Sequence, residues 1–229
     1  MIPYSVLALI SVTILAAVHL YTESVQKWVS KWWLLAAGSG CSLAYVFIDL
    51  LPKLNQKSLA MQAVFAKSMP YLERHAFFMA LMGFLLFYIV DYKSRVKKNE
   101  KNSWLPLGSY ALLNFLVGYA VVDKANLEVQ PLVLFTIAMS FFYFTKDYTL
   151  QTPEFHQLGR WILIGALFMG WLIGVFIVLP QAAVALVSAF IGGGVIFNVT
   201  RRVLTEKHSL IVFLSSTLIY TFILMAIGS

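Results

Sequence analysis

The sequence predicts an all-α protein, a polytopic membrane helix bundle with eight transmembrane helices in a single domain over residues 1–229. Two observations carry that prediction. Of 229 residues 60% are hydrophobic and only 12% are charged, with mean hydropathy +0.80, far from the balance of a soluble domain. Apolar runs also alternate with short polar breaks, and many approach the roughly 20 apolar residues a helix needs to cross about 30 Å of hydrocarbon.

The runs fall at about Pro3–Tyr21, Trp32–Leu51, Ala76–Asp91, Trp104–Val122, Val129–Phe144, Trp161–Leu179, Gln181–Thr200 and Leu210–Gly228. Nothing basic precedes the apolar part of the first, and no small-x-small cleavage pattern comes after it. It therefore reads as a retained helix and not as a signal peptide. The third and fifth are the shortest. Leu179-Pro180 separates the sixth from the seventh, and fusing them would invert the topology of everything after. The longest loop, Pro52–His75, has apolar residues at near-helical spacing before Pro70 and fits a segment lying in the membrane interface.

Lys and Arg accumulate on the cytoplasmic side of membrane proteins. The loops after runs one, three, five and seven hold 12 of the 17 Lys and Arg, from Lys27 through Lys207, while the others hold Lys53, Lys57, Lys67, Arg74 and Lys124. The Tyr92–Ser103 loop is thus expected inside and both termini outside. This pattern accounts for the net charge of +7 without nucleic acid as a partner. The compactness of the chain and the absence of a targeting segment point to a bacterial cytoplasmic membrane. The single cysteine, Cys41, excludes an intrachain disulfide and a cysteine-based zinc site.

Several runs carry a polar stripe. Gly38, Ser42, Tyr45 and Asp49 fall within roughly 60° of arc on a helix turning about 100° per residue. Thr136, Ser140, Tyr143 and Asp147 repeat the same spacings of four, three and four. Gly108, Ala111, Asn114 and Gly118 form a third stripe, and Gln181, Ala185, Ser188 and Gly192 a fourth, which continues into Gly193 and Gly194. Small residues let membrane helices approach and polar groups seek partners across the contact, so these faces should point inward. Packing alone is one reading of them, and for Gly192, Gly193 and Gly194, as for Gly170 and Gly174, it is the reading adopted. Asp49 also has two readings: an interfacial carboxylate paired with Lys53 four residues on, or an intramembrane functional charge. Asp147, beside Lys146, lies nearer the cytoplasmic boundary.

The segment GCSLAYVFIDLLPKL from Gly40 to Leu54 resembles the second span of the ZIP (Zrt-, Irt-like) metal transporters, a glycine-led helix closing on a polar residue, Leu-Leu-Pro and an acid. The segment from Phe190 to Arg202 resembles their seventh span, and the topology of eight spans with both termini outside is similar to theirs. The chain reads as a divergent, bacterial-type member. The resemblance implies a 3+2+3 inverted repeat, and here Gly40 to Pro52 can be laid on Gly194 to Thr205 with a one-residue gap. It also implies a polar residue at the outer mouth of the second span, where Asp49 stands.

The metal ligands of that family are not repeated. Leu-Leu-Asn-Phe-Leu-Val-Gly118 resembles the fourth-span segment with Asn114 and Gly118 kept, but Leu113 and Val117 stand where ligands are expected. The fifth run, TIAMSFFYFTKD, has no His. Of the four histidines only His19 lies in a run, and a lone His there reads first as a packing residue. Zinc takes several nitrogen, sulfur or carboxylate ligands. Oxygen donors alone suit a harder cation. The expectation is a carrier for divalent metal or other cations with a degenerate metal site: Asp49 at the outer mouth, Asn114, Ser140 and Tyr143 along the middle, Asp147 near the inner exit. The alternative is a non-transporting protein of ZIP-like ancestry acting as partner, sensor or scaffold. No nucleophile–base pair, phosphate loop or paired carboxylates point to an enzyme, and no cofactor is expected beyond a transported cation. The expected partner is the lipid bilayer, with a homodimer as one arrangement open to it.

Overall fold

A backbone in hydrocarbon has no water to bond, so it satisfies its own N–H and C=O groups along a helix. The computed structural model describes residues 4–55, 72–96, 104–122, 129–147, 156–177, 179–205 and 209–227, and every regular element among them is helical. The helices are α1 (Tyr4–Trp28), α2 (Lys31–Ala44), α3 (Leu72–Val96), α4 (Trp104–Ala120), α5 (Val129–Asp147), α6 (His156–Phe176), α7 (Gln181–Thr205) and α8 (Leu210–Ile227). A π turn over Tyr45–Leu50 continues α2, and helix resumes through residue 55.

Six of them, α1, α2 with its extension, α3, α6, α7 and α8, are long and apolar enough to cross a membrane. The third apolar run, one of the two shortest in the sequence, belongs to the 25-residue α3, because polar residues at both ends continue the helix beyond the apolar stretch. The 17-residue α4 and the Val129–Thr145 part of α5 are apolar but shorter. Helix starts use the groups at hand. Ser30 caps α2 through its carbonyl, which accepts from Trp33 and Leu34 at 2.9 and 3.1 Å, and Pro180 does the same for Ala183 and Val184 at the start of α7. Proline suits a helix start because the N–H it lacks would have no partner there.

The principal pairings are α3 with α7, α4 with α6, α2 with α8 and α5, and α1 with α5 and α6. The first two are parallel and close over glycine. A side chain at Gly83 would run into the carbonyl of Phe190 and one at Gly193 into that of Ala80; likewise Gly118 meets the Leu167 carbonyl and Gly170 that of Phe115. Gly40 lies against the Phe213 carbonyl on α8, and Gly38 against the Phe141 carbonyl on α5. Small residues at contacts bring backbones together where no hydrophobic effect drives association.

At one end of the bundle, starts of some helices meet ends of others. The Tyr4 hydroxyl on α1 donates to the Val121 carbonyl just beyond α4 at 3.4 Å. The Gln130 amide at the start of α5 donates to the Ile227 carbonyl at the end of α8. The Tyr119 hydroxyl near the end of α4 donates to the Ile177 carbonyl and accepts from the Leu179 N–H, each at 3.1 Å, which ties down the break between α6 and α7. Toward the ends of α3 and α7, Asp91 and Arg201 form an ion pair at 2.9 Å.

Candidate functional site

Five polar side chains from four helices meet in the core. His19 on α1, Asn114 on α4 and Tyr143 on α5 are buried at 1%, 0% and 0% exposure, with Tyr110 on α4 and Asn198 on α7 beside them. Helical spacing of four lets each asparagine bond its own helix: Asn114 Nδ2 donates to the Tyr110 carbonyl at 2.8 Å, and Asn198 Nδ2 to the Gly194 carbonyl at 2.7 Å. With the amide nitrogens so committed, the amide oxygens face the neighbouring helices as acceptors. His19 Nε2 lies 2.9 Å from Asn114 Oδ1, so Nε2 carries a proton and donates. The Tyr110 hydroxyl donates to Asn198 Oδ1 at 3.1 Å. The His19 and Tyr143 rings lie with centroids 4.5 Å apart.

This core is built from groups without a carboxylate, and the His19 Nε2 and the two amide oxygens already serve as donor or acceptors. Among the described residues no group of three His, Cys, Asp or Glu side chains is placed to hold a metal ion. Leu113, Val117, Met139 and Phe142 are fully buried around it. Arg202, one turn beyond Asn198 on α7, is buried as well, at 1% exposure.

A second polar feature lies toward the end of the bundle where Tyr4 meets Val121. Tyr4, Tyr45, Asp49, Lys53, Ala120, Leu132 and Ser188 are among the residues lining a cavity of about 90 Å³, room for several water molecules. The π turn carries Asp49 to its wall; the Leu51 N–H bonds the Val46 carbonyl five residues back. Turns of this kind occur frequently at functional sites. The Asp49 carboxylate is 7% exposed and paired at 2.7 Å with the Lys53 ammonium, itself 38% exposed. Along α4 and α5, Val117 and Met139 lie between the levels of this vestibule and of the core, and both are fully buried.

The residues singled out in the sequence thus divide. Asp49 stands at the vestibule, while Asn114 and Tyr143 meet around His19. Ser140 does not join them: it lines an apolar groove between α1 and α5 with Leu7, Ile10 and Ser11, and its hydroxyl bonds the Thr136 carbonyl of its own helix at 2.7 Å. Asp147 is the last residue of α5, and its side chain lies outside the described residues. Ser42 donates to the Gly38 carbonyl at 2.7 Å and approaches the Ala138 carbonyl of α5 at 3.4 Å, so at that level the stripe of α2 is a helix contact. Gly192 faces the Leu50 side chain, Gly193 the α3 backbone and Gly194 the Phe87 ring. Sequence reasoning misses Tyr110, Asn198 and Arg202 as site residues; their only signal is polarity on largely apolar helices, Tyr110 one turn from Asn114, Asn198 one turn beyond Gly194 and Arg202 two turns beyond it.

No protein-family model matches the chain, and no curated protein matches it.

Proposed function

We propose that the chain is a cation carrier of ZIP-like architecture, with eight spans in a 3+2+3 inverted repeat, both termini outside, and entry through the Asp49 vestibule. The observation that carries this reading is the pattern of helix pairing. Exchanging α1 with α6, α2 with α7, α3 with α8 and α4 with α5 turns the α3–α7 pair into α8–α2, α4–α6 into α5–α1, and α2–α5 into α7–α4, each of which packs together. The α3–α4 contact becomes α8–α5, where the Tyr220 hydroxyl donates to the Leu134 carbonyl at 2.8 Å. An inverted repeat puts a carrier's site between its halves near the midplane, and the core around His19 draws on α1, α4, α5 and α7. The one-residue gap needed to lay α2 on α7 corresponds to the extra residue of the π turn, since α7 is regular throughout.

Most pairings fall within α1, α4, α5 and α6 or within α2, α3, α7 and α8, and α2–α5 is the main contact that joins these two groups of four. Movement between such groups would expose a central site to each side in turn. The 17 residues of α4 reach only about 26 Å at 1.5 Å per residue, which suffices for a helix held between longer neighbours. Flux of Mn²⁺, Zn²⁺ and monovalent cations into vesicles reconstituted with purified protein tests the proposal. Uptake that falls with Asp49→Asn supports it, and equal uptake by wild type and Asp49→Asn for every cation overturns it.

One arrangement favours the non-transporting reading: the core is closed, Lys53 already matches the charge of Asp49, and Arg202 is buried beyond Asn198. Vesicles containing the wild-type protein that take up none of these cations would establish it over the carrier.

A further inference from the structure

A cation drawn to Asp49 finds one already there. We propose that Lys53 is a tethered competitor at the vestibule, a specificity-determining residue that denies Asp49 to monovalent cations and yields to a divalent one. This deepens the carrier reading and rests on it.

The two partners differ in their freedom. Asp49 is 7% exposed and held by the π turn, whereas Lys53 is 38% exposed on a flexible four-carbon stem and can withdraw its ammonium into water. Tyr4, Tyr45 and Ser188 line the same cavity as Asp49 and carry oxygen donors of the type hard divalent cations take, and Lys53 is the one cationic side chain among the described residues lining it. A carboxylate at an apolar wall requires a compensating charge. The ammonium supplies it from 2.7 Å on a tether a few bonds long, so its effective concentration is high. A monovalent ion that displaces it brings no more charge than it removes and leaves the ammonium nearby as a repelling neighbour. A divalent ion brings twice the charge and can coordinate the carboxylate and hydroxyls together.

Equilibrium binding of Mn²⁺ to detergent-purified protein, followed by the electron paramagnetic resonance signal of the free ion, tests this without reference to flux. Lys53→Met should bind Mn²⁺ roughly tenfold more tightly than wild type, the factor that about 1.4 kcal/mol of removed competition gives. Na⁺ should compete in Lys53→Met and not in wild type, and adding Asp49→Asn to Lys53→Met should abolish the gain. Equal affinities for wild type and Lys53→Met, or a gain that survives Asp49→Asn, overturns the proposal. Should Lys53→Met not fold, Lys53→Arg serves: its bidentate guanidinium grips the carboxylate harder, so Mn²⁺ should bind more weakly than to wild type, and equal or tighter binding overturns the proposal. A binding shift in a protein without flux would remove the carrier reading alone; flux that depends on Asp49 without any binding shift would remove the tethered competitor alone.

Discussion

His19 Nε2 lies 2.9 Å from Asn114 Oδ1, a hydrogen bond between α1 and α4 across 95 residues of sequence. Both side chains are buried, so removing one takes this bond away from the other in a place water does not easily reach. Asn114→Leu should destabilise the protein by about 1 kcal/mol, between the ~0.6 kcal/mol common for interhelical bonds in membranes and the roughly 1–3 kcal/mol of an orphaned buried donor. His19→Leu with Asn114→Leu should cost less than the sum of the single changes. Unfolding of the four proteins in detergent measures the coupling, and strict additivity would show the pair to be energetically independent.

The glycine crossings predict a contrast. Gly83→Leu and Gly193→Leu each drive a side chain into a facing backbone carbonyl and should sharply lower folded yield, whereas a methyl added at Gly108 or Gly165 meets nothing within 4 Å. Gly108→Ala and Gly165→Ala should keep normal yield and gain up to about 1 kcal/mol from helix propensity. Size-exclusion profiles and melting in detergent compare them; losses of equal size at all four positions would mean that close approach is not what these glycines serve.

Much of the fold was legible in the sequence because hydrophobic runs and breaks are local. Each of the eight described helices overlaps one predicted run, and Pro180 separates α6 from α7 as expected. The stripes showed which faces are polar but not which neighbour each face meets. Ser140 illustrates the limit: it shares a stripe with Tyr143 and both meet α1, yet Ser140 lines an apolar groove with Leu7, Ile10 and Ser11 while Tyr143 packs on His19 in the core. The pairs His19–Asn114 and Tyr110–Asn198 depend on how whole helices rotate and cross, which periodicity within one helix does not encode.

The division of basic residues predicts sidedness. Lys93, exposed near the end of α3, should face the cytoplasm, and Ser5, exposed at the start of α1, the outside. In a background with the buried Cys41 replaced by Ala, an impermeant thiol reagent added to intact cells should label Ser5→Cys and leave Lys93→Cys unlabelled until the membrane is opened. The reverse pattern would invert the bundle and put the Asp49 vestibule on the cytoplasmic face.

The last prediction joins the π turn to the vestibule. A π turn holds one residue more than an α turn, so it can absorb an insertion while the helix on either side keeps its face. Deleting a residue from it should therefore restore a plain α-helix without rotating the helix beyond it. Phe47, 51% exposed on the outer side of the turn, is the residue whose loss removes least packing. The protein lacking Phe47 should fold in normal yield and keep Asp49 and Lys53 at the vestibule, so that Mn²⁺ affinity and its response to Lys53→Met remain those of the full chain. Deleting Cys41, buried in the regular part of α2, instead turns one part of the helix by about 100° against the other. Gly38 and Gly40 would then leave their contacts on one side or Ser42 and Asp49 theirs on the other, and folded yield should collapse. Comparable yields for the two deletions, or a fold lost on removing Phe47, would show that the turn is not a register insertion and would withdraw its support from the inverted repeat.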